Sequence, residues 1–287
     1  MEACAHATME AKVSAPAPLR LRPLEIGDLL DETFRIYRRH FLLFAGISLI
    51  LAIPSAGLTG YSIFSLFSSF VQSANSTAPD FSGLVSSMAV LVIGYLVSLL
   101  LSPFTSAAVI YAACESAQGR PVTIWGALSG VLRRYFAILG YLVLIGLMIL
   151  MFCLLPLWIW IWVGWVTVLP VMFVENTGLV AAMGRSWRLV EGRWWRTFLI
   201  LFLVLLIWYV VQIALGGFLS LASGLLGIVV SQYVALAISQ AVAVLVSALA
   251  IPVFQIAIVL IYFDLRVRRE ALDLFQLAQR VATAQPA

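Results

Sequence analysis

Charged residues are scarce in this sequence. Only 10% of its 287 residues are Asp, Glu, Lys or Arg, whereas a soluble globular domain carries about a quarter. Hydrophobic residues make up 63% of the chain, and the mean hydropathy is +1.07. Since several apolar runs are also long enough to cross a bilayer, the composition excludes a soluble globular domain and predicts an all-α polytopic membrane protein.

Cysteine and histidine are scarce as well. The three cysteines, Cys4, Cys114 and Cys153, are far apart and form no CxxC motif, and the two histidines, His6 and His40, have no neighbouring ligand cluster. The pattern indicates neither a disulfide framework nor a metal site. The chain also lacks HExxH, GxSxG and P-loop motifs. We therefore expect no enzyme activity and no cofactor.

The first residues lack the features of a secretory signal. Residues 1–18 contain acidic side chains and no apolar segment, which excludes a signal peptide. We interpret residues 1–22 as a flexible N-terminal tail and residues 281–287 as a C-terminal tail. Residues 23–280 then form one transmembrane domain with interfacial helices.

The apolar runs predict six transmembrane helices. The uncharged run Phe136–Val174 would form a single helix of about 58 Å, twice the hydrocarbon thickness of a bilayer, so we predict two spans joined by a hairpin near Pro156. The other spans are predicted to be separated by polar or glycine-containing connections. These spans are Phe41–Val71, a helix within Phe81–Ala113, Trp194 to about Leu215, and Ile228–Phe263, and the connections include Gln72–Pro79, Glu115–Pro121 and Gly216–Gly227.

The positive charges lie on one side of the predicted spans. All 17 Lys and Arg residues fall in the N-terminal segment, the loop 120–134, the segment 185–196 or the C-terminal segment. The positive-inside rule places these segments, and with them both termini, in the cytoplasm. This arrangement requires an even number of spans, and six satisfies it.

Amphipathic helices are predicted on the cytoplasmic side. In Leu24–His40, apolar residues recur at spacings of three and four, with acidic residues early and arginines late, as expected of a helix that lies in the membrane interface. Thr123 has the side chain of an N-cap for a second such helix. The third runs from Glu175 to a break at Gly192, and a fourth is predicted at Asp264–Arg280.

A unit of surface helix, span and proline-containing span occurs three times. Basic and aromatic residues precede each odd-numbered span, and each even-numbered span has one proline in its later part, which is Pro103, Pro170 or Pro252. We interpret this order as a threefold pseudo-repeat. The alternative is that any six-span protein has basic and aromatic residues at its cytoplasmic loops.

Small and uncharged polar residues mark the expected helix contacts. Ladders of Ser, Ala and Gly at four-residue spacing allow helix backbones to approach closely in lipid. Gln212, Gln232, Gln240 and Gln255 are expected to form interhelical hydrogen bonds, with substrate lining as the alternative. No charged residue lies in the middle of a predicted span, which disfavours ion-coupled transport. The ladders are Ser48, Ala52, Ala56 and Gly60; Gly94, Ser98, Ser102 and Ser106; and Ser231, Ala235, Ser239, Ala243 and Ser247.

The basic clusters beside the spans are candidate contacts for anionic phospholipids of the bilayer. Guanidinium groups at the depth of the lipid phosphates, anchored by neighbouring indole rings, would bind the headgroups. The alternative is that these arginines set the topology and extend to the interface. Their position at span edges argues against a nucleic-acid partner. The candidate residues are Arg38, Arg39, Arg133, Arg134, Arg185, Arg188, Arg193 and Arg196.

Three segments, taken together, resemble a known family. RPLEIGDLLDETFRIYRRHF near the N-terminus, GRSWRLVEGRWWRTF in the middle and YFDLRVRREALDL near the end are similar to the bacterial glycerophosphoryl diester phosphodiesterase membrane domain family. The resemblance covers nearly all of 20–276 and implies a multi-pass protein of the bacterial inner membrane. In that family a separate catalytic domain of TIM-barrel type can accompany the membrane domain. This chain has no room for one, so the resemblance implies no phosphodiesterase activity and supplies no catalytic residue.

The function that these features predict is non-enzymatic. The chain is expected to be a membrane scaffold or accessory subunit that engages lipids or partner membrane proteins through its surface helices. The alternative is a transporter or lipid-translocating protein with a path between the repeats near the prolines. A closely packed bundle would favour the scaffold, whereas a water-filled cavity lined by Gln212, Gln240 or Gln255 would favour transport.

Overall fold

The computed structural model describes residues 25–75, 81–150 and 155–270, which form helices with short connections and no strand. The tails predicted at 1–22 and 281–287 lie outside these described residues. The all-α class is confirmed. The helices are α1 Ile26–Arg39, α2 Phe41–Asn75, α3 Phe81–Ala117, α4 Ile124–Leu132, α5 Tyr135–Leu150, α6 Leu155–Gly164, α7 Val168–Val174, α8 Leu179–Val190, α9 Trp194–Val229 and α10 Gln232–Glu270.

Five segments of the described chain are long and apolar enough to cross a membrane. They are α2, α3, the segment 156–174 formed by α6 and α7, α9 and α10. A sixth is present if α4 and the first part of α5 are one span, although these two helices meet at 73° across a short break. The chain is therefore an all-α polytopic membrane protein, with five or six candidate spans.

The three predicted surface helices each stand directly before a further apolar helix. Helix α1 buries Leu29 on one face and exposes the arginines of its last turn. Helix α4 begins at the predicted N-cap, since the Thr123 hydroxyl accepts a hydrogen bond from the Gly126 amide at 3.1 Å. Helix α8 ends before Gly192, whose φ of 79° is a left-handed conformation that glycine adopts without strain.

The long helices extend further than the sequence indicated. The predicted loop Gln72–Pro79 is helical up to Asn75, where the described segment ends, and the predicted turn Glu115–Pro121 begins only after Ala117. The largest error concerns Gly216–Gly227, which was predicted as a turn but lies inside α9. Glycine and serine remain helical there because a backbone in lipid has no water to bond and must satisfy its own N–H and C=O groups.

The predicted boundary before the last helix is also wrong. Asp264 was expected to begin a separate amphipathic helix, but α10 runs without interruption from Gln232 to Glu270. Residues 271–280 of that predicted helix lie outside the described residues. Because α10 is continuous, it carries its last arginines and carboxylates rigidly from the apolar part of the bundle to one polar end.

The segment predicted as two spans around Pro156 is the least regular part of the bundle. Pro156, near which the hairpin was predicted, lies in the first turn of α6, and residues 151–154 before it lie outside the described residues. Helices α6 and α7 are separated by a turn at 165–167. Trp160 of α6 packs edge-on against Trp187 of α8, with ring centroids 4.6 Å apart. Its carbonyl accepts a hydrogen bond from the Trp194 indole at 3.2 Å. These contacts hold α6 against the α8–α9 connection.

Helix α10 is the centre of the bundle, because it contacts α1, α2, α3, α7, α8 and α9. Its residues 256–263 belong to one core cluster with large buried side chains of other helices, such as Phe44, Ile110, Met172 and Leu189. We call this end, with α1, α4, α8 and residues 255–270 of α10, the charged end. The distal half comprises residues 57–75 of α2, 81–100 of α3, 210–229 of α9 and 232–247 of α10.

The predicted repeat is visible in the order of the helices. A surface helix, a break and an apolar helix follow one another as α1–α2, α4–α5 and α8–α9. Pro103 and Pro252 lie inside α3 and α10 as expected, whereas Pro170 lies in the short α7. The middle copy departs most from the pattern, since its helices α5, α6 and α7 are much shorter than their counterparts.

Candidate functional site

A cluster of charged side chains joins α8 to α10 at the charged end. Glu175, at the end of α7, accepts a hydrogen bond from the Arg185 guanidinium at 3.0 Å and one from the Tyr262 hydroxyl at 3.1 Å. Arg185 also pairs with Glu270, and Arg266 pairs with Glu270 at 2.9 Å and donates to the Tyr262 hydroxyl at 3.1 Å. Each acidic oxygen therefore has a charged or hydroxyl donor, as buried ion pairs require.

A second carboxylate joins α9 to α10. The side chain of Asp264 is only 2% exposed and lies 3.2 Å from Arg196 and 2.9 Å from Arg268. Such charge-assisted bonds are shorter and stronger than neutral hydrogen bonds. Arg196 stands in the first turn of α9, so this pair fixes the direction in which α9 leaves the charged end.

The connection between α8 and α9 binds the last turn of α10. The Arg269 guanidinium donates to the Glu191 carbonyl at 2.9 Å and to the Arg188 carbonyl. In return, Arg193 donates to the Arg268 carbonyl at 3.3 Å. The break at Gly192 thus exposes carbonyl groups at the end of α8, and Arg269 of α10 satisfies two of them.

Arg134 likewise donates to backbone carbonyls, and it joins the end of α4 to the end of α7. Its guanidinium donates to the Met172 carbonyl at 2.7 Å, to the Thr177 carbonyl at 3.0 Å and to the Asn176 side chain. Asn176 itself has a φ of 54°, which is a left-handed conformation that Asn adopts more readily than most residues. The arginine therefore fixes the turn that leads from α7 into α8.

The eight arginines singled out from the sequence divide into two equal sets. Arg134, Arg185, Arg193 and Arg196 donate to carboxylates or backbone carbonyls of the protein. The other four are exposed, and their side chains have no hydrogen-bond or ion-pair partner within residues 25–75, 81–150 and 155–270. We call these four the free arginines: Arg38, Arg39, Arg133 and Arg188.

Sequence reasoning missed the pairing of the arginines with Glu175 and Asp264. Glu175 stands at the end of α7 as expected, whereas Asp264 lies within α10. The arginine partners of both acids are distant in the chain, and only the fold brings them together. A usable signal was present, because a lone carboxylate at the end of an apolar run faces a basic cluster at the start of another. Opposite charges at the same depth in a membrane protein commonly pair.

Burial and neighbouring charges shift the pKa of three groups on the surface helices. Burial by itself would lower the pKa of Arg185, but the hydrogen bonds from its guanidinium to Glu175 and Glu270 raise that pKa above its ordinary value. Burial raises the pKa of Tyr37. Burial and the charge of Arg39 lower the pKa of His40, which favours the neutral imidazole.

Close aromatic packing accompanies these charges. A Cβ atom on Gly164 would lie 2.5 Å from the ring of Trp187, so only glycine fits where α6 meets α8. Beside it, the buried Ser186 hydroxyl donates to the Gly164 carbonyl and lies 2.8 Å from the Thr167 hydroxyl. These bonds satisfy backbone and side-chain groups at the α6–α7 break, where helical hydrogen bonding is interrupted.

A cavity of about 650 Å³ lies between α2, α3 and α10. Its walls are residues 51–63 of α2, 91–106 of α3 and 240–251 of α10, which are the middle parts of three long apolar helices. Apolar side chains such as Leu51, Leu91 and Val244 alternate with hydroxyl groups and the amide of Gln240. None of the lining residues is ionisable, apart from the phenol of Tyr95.

Two of the glutamines form the interhelical hydrogen bonds that were predicted. The Gln255 amide donates to the Ser106 hydroxyl at 3.0 Å and joins α10 to α3. The Gln212 amide donates to the Ser247 hydroxyl at 3.0 Å and joins α9 to α10. Gln240 instead lies in the wall of the cavity.

The small-residue ladders have two roles in the structure. A Cβ on Gly60 would lie 3.2 Å from Ala241, and one on Gly94 would lie 2.8 Å from the Ser62 hydroxyl, so the backbones approach closely at these points as predicted. Other members of the same ladders, such as Ser98 and Ser247, line the cavity. Small residues therefore bring α2 close to its neighbours and leave space between α3 and α10.

A smaller pocket of about 190 Å³ lies where α1 rests on α9 and α10. The Tyr37 hydroxyl donates to the Leu249 carbonyl at 2.6 Å beside this pocket. The bonded carbonyl is in the turn that precedes Pro252, where the ring of the proline disturbs helical hydrogen bonding. Helix α1 is thereby attached to the bundle by a hydrogen bond.

The fold and these sites define a class, which is a helical multi-pass membrane protein with a charged end and an uncharged intramembrane cavity. Comparison with family models, with curated proteins and with solved structures finds no significant match to this chain. No group of three or more His, Cys, Asp and Glu side chains in the described part of the chain is arranged to hold a metal ion.

Proposed function

We propose that this chain is a non-enzymatic protein of the bacterial inner membrane, a scaffold or accessory subunit that engages anionic phospholipids and partner membrane proteins through its surface helices. The observation that supports this proposal is the set of free arginines, Arg38, Arg39, Arg133 and Arg188. They stand exposed on α1, α8 and the α4–α5 connection. Their donors are available to a ligand from outside the chain.

The division of the arginines is what gives the proposal its physical basis. Arginines that satisfy Glu175, Asp264 and backbone carbonyls have their donors engaged, so they serve the fold. A basic side chain beside an anionic leaflet gains about 1 kcal/mol, so the four free arginines together gain about 4 kcal/mol. This is enough to enrich anionic lipids around the charged end.

Exposed aromatic residues stand beside the free arginines. Trp125 lies in the first turn of α4, Phe136 follows the α4–α5 connection and Trp195 follows the α8–α9 connection, each with more than two thirds of its surface exposed. Aromatic side chains of this kind prefer the boundary between headgroups and acyl chains. They would hold the surface helices at the depth where guanidinium groups meet phosphates.

The orientation and the family resemblance belong to the same proposal. The positive-inside rule puts the charged end and both termini in the cytoplasm, where the leaflet is anionic. The resemblance to the glycerophosphoryl diester phosphodiesterase membrane domain family agrees with a membrane module that has no phosphodiesterase activity of its own. Its role would then be exerted through lipids and neighbouring proteins.

Lipid retention tests the proposal directly. A variant with Arg38, Arg39, Arg133 and Arg188 changed to Gln should lose anionic lipid, because the change removes exposed charge without disturbing the paired arginines. We expect the phosphatidylglycerol that co-purifies in mild detergent, measured by lipid mass spectrometry, to fall about tenfold or more.

The matched control removes exposed arginines that already have carboxylate partners. Arg35 pairs with Glu32 and Arg120 pairs with Glu115, and both arginines are more than half exposed. The double variant Arg35→Gln and Arg120→Gln should retain lipid almost as the unaltered protein does. Equal retention by the control and the fourfold variant would refute the proposal.

A second candidate function is transport or lipid translocation. The cavity between α2, α3 and α10 favours it, because a closely packed scaffold has no need of space in the middle of the bilayer. The cavity has Gln240 in its wall and lies next to Pro103 and Pro252 in the chain. This candidate does not exclude the first, since the charged end and the cavity are separate parts of the molecule.

A further inference from the structure

The cavity between α2, α3 and α10 contains polar side chains that the protein leaves unpaired. Ser55 is only 9% exposed and lines the cavity, yet its hydroxyl has no hydrogen-bond partner in the described segments. Thr59, Ser98 and Gln240 also line it, and their side chains likewise lack partners there. All three helices of the wall thus contribute at least one uncharged polar group without a partner.

Unpaired polar groups are unusual at this depth of a membrane protein. A serine in a membrane helix ordinarily bonds a carbonyl of its own helix, as Ser62 does with Leu58 at 2.7 Å. Burying a hydroxyl in an apolar region without a partner is unfavourable, and a bound molecule with its own donors and acceptors removes that cost. The wall is therefore complementary to a ligand that carries hydroxyl or ester oxygens.

The composition of the wall excludes a charged ligand. Within the described segments, no Asp, Glu, Lys, Arg or His lines the cavity, so a phosphate or ammonium group would be desolvated there without a counter-charge. Leucine, valine, isoleucine and alanine side chains form much of the rest of the wall and suit an acyl chain. The volume of about 650 Å³ is within the usual range of small-molecule sites.

The cavity is closed toward the charged end and less so toward the bilayer. The Gln255–Ser106 bond and the buried Pro103 and Pro252 bring α3 and α10 together at one end of it. Over their whole length, α3 and α10 contact each other much less extensively than either contacts α2. A molecule from the surrounding lipid would enter between these two helices.

We propose that this cavity binds one uncharged, hydroxyl-bearing lipid. Its polar group lies among Ser55, Thr59, Ser98 and Gln240, and one acyl chain lies against the apolar wall. The ligand class is that of a diacylglycerol, which has a free hydroxyl, ester oxygens and no charge. The site goes beyond the arginine surface, because it selects for the absence of charge. It would also supply the ligand class for the transport candidate.

Photochemical labelling tests this site on the complete protein. The protein is reconstituted in phosphatidylcholine vesicles that contain diacylglycerol with a diazirine in one acyl chain, illuminated and mapped by peptide mass spectrometry. Labels are expected on residues 51–63, 91–106 and 240–251, and unlabelled diacylglycerol should compete whereas phosphatidylglycerol should not. Labels that spread evenly over the lipid-facing surface would overturn the proposal. So would an absence of labels in the cavity, which is the result expected if the site holds only water.

Variants of the polar groups provide the sharper comparison. Ser55→Ala, Thr59→Val, Ser98→Ala and Gln240→Leu, combined, remove the hydrogen-bonding groups with little change of volume. Labelling in the cavity should fall about tenfold, since each lost hydrogen bond to the ligand weakens binding. The control Ser86→Ala and Ser220→Ala removes two exposed serines that bond their own helices and should leave labelling unchanged.

Two outcomes separate this proposal from that of the charged end. Unchanged cavity labelling in the fourfold polar variant, with that variant folded by its elution in size-exclusion chromatography, would overturn the cavity site. The variant lacking the free arginines should keep its cavity labelling even though it loses phosphatidylglycerol. Failure of one result therefore does not imply failure of the other.

Discussion

The charged end and the distal half of the bundle differ in the residues that they bury and in the contacts that hold their helices together. At the charged end, large side chains such as Phe44, Met172 and Tyr262 are fully buried, and arginines from four elements bond carboxylates and carbonyls. In the distal half, the buried residues are small, as Ser62, Ser87 and Ala235 show. The contacts there are backbone approaches and serine hydrogen bonds.

This comparison shows which contacts determine a single arrangement of the helices. A large apolar side chain or an ion pair fits only one arrangement of its neighbours, so the charged end has one way to assemble. Small residues in lipid gain little from packing against each other instead of against acyl chains. The distal half therefore approaches closely at Gly60 and Gly94 and leaves a cavity elsewhere.

The largest expected effect comes from breaking the charged end at Asp264. Asp264→Ala removes the buried carboxylate and leaves Arg196 and Arg268 facing each other, so we expect a loss of about 3 kcal/mol in the free energy of unfolding. Unfolding in mixed micelles, followed by circular dichroism, measures this loss. The control is Glu191→Ala, which removes a carboxylate that is 64% exposed and lies 3.5 Å from Arg269.

The control should cost less than about 1 kcal/mol, because solvent screens an exposed pair. Equal losses for the Asp264 and Glu191 variants would contradict the view that buried pairing organises the charged end.

A pair of glycine substitutions compares the two regions with the same chemical change. Gly164→Ala places a Cβ 2.5 Å from the rigid indole of Trp187 and should cost about 2 kcal/mol. Gly94→Ala places a Cβ 2.8 Å from the Ser62 hydroxyl, which can rotate away, and should cost about 1 kcal/mol or less.

The same unfolding measurement ranks these two variants. Gly184→Ala serves as the control, because a Cβ there meets nothing within 4 Å and alanine favours the helix. A larger loss at Gly94 than at Gly164 would show that the distal half is the more rigid of the two regions.

The smallest expected effect concerns the hydrogen bond at the boundary between the regions. A double-mutant cycle of Gln255→Leu and Ser106→Ala should give a coupling free energy of about 0.6 kcal/mol, the typical strength of such bonds between membrane helices. The corresponding cycle of Gln212→Leu and Ser247→Ala is the matched comparison on α9. A coupling near zero at Gln255 would show that this bond does not close the cavity.

Much of the fold could be predicted from local features of the chain. The apolar runs, the N-cap at Thr123 and the break at Gly192 act through near neighbours, so sequence patterns suffice to find them. The turn predicted at Gly216–Gly227 was wrong, because the tendency of glycine and serine to form turns is derived from water-soluble proteins. In lipid, the requirement for internal backbone hydrogen bonds outweighs their propensities.

The candidate sites were predictable only in part, since they depend on which helices become neighbours. The arginines were identified as a group, but their division into four that bond the protein and four that are free depends on the positions of carboxylates far away in the chain. Serines that line the cavity and serines that bond a neighbouring helix occur in the same helix, and no local pattern separates Ser98 from Ser87.

The class of this protein follows from local sequence, because hydropathy, charge placement and helix capping are properties of contiguous residues. The neutralisation of Glu175 and Asp264 and the space between α2, α3 and α10 depend instead on the packed helices. Ion pairs and cavities arise from distances between residues separated by tens to more than a hundred positions in the chain. Such distances are fixed when all the helices pack around α10, and no single segment contains them.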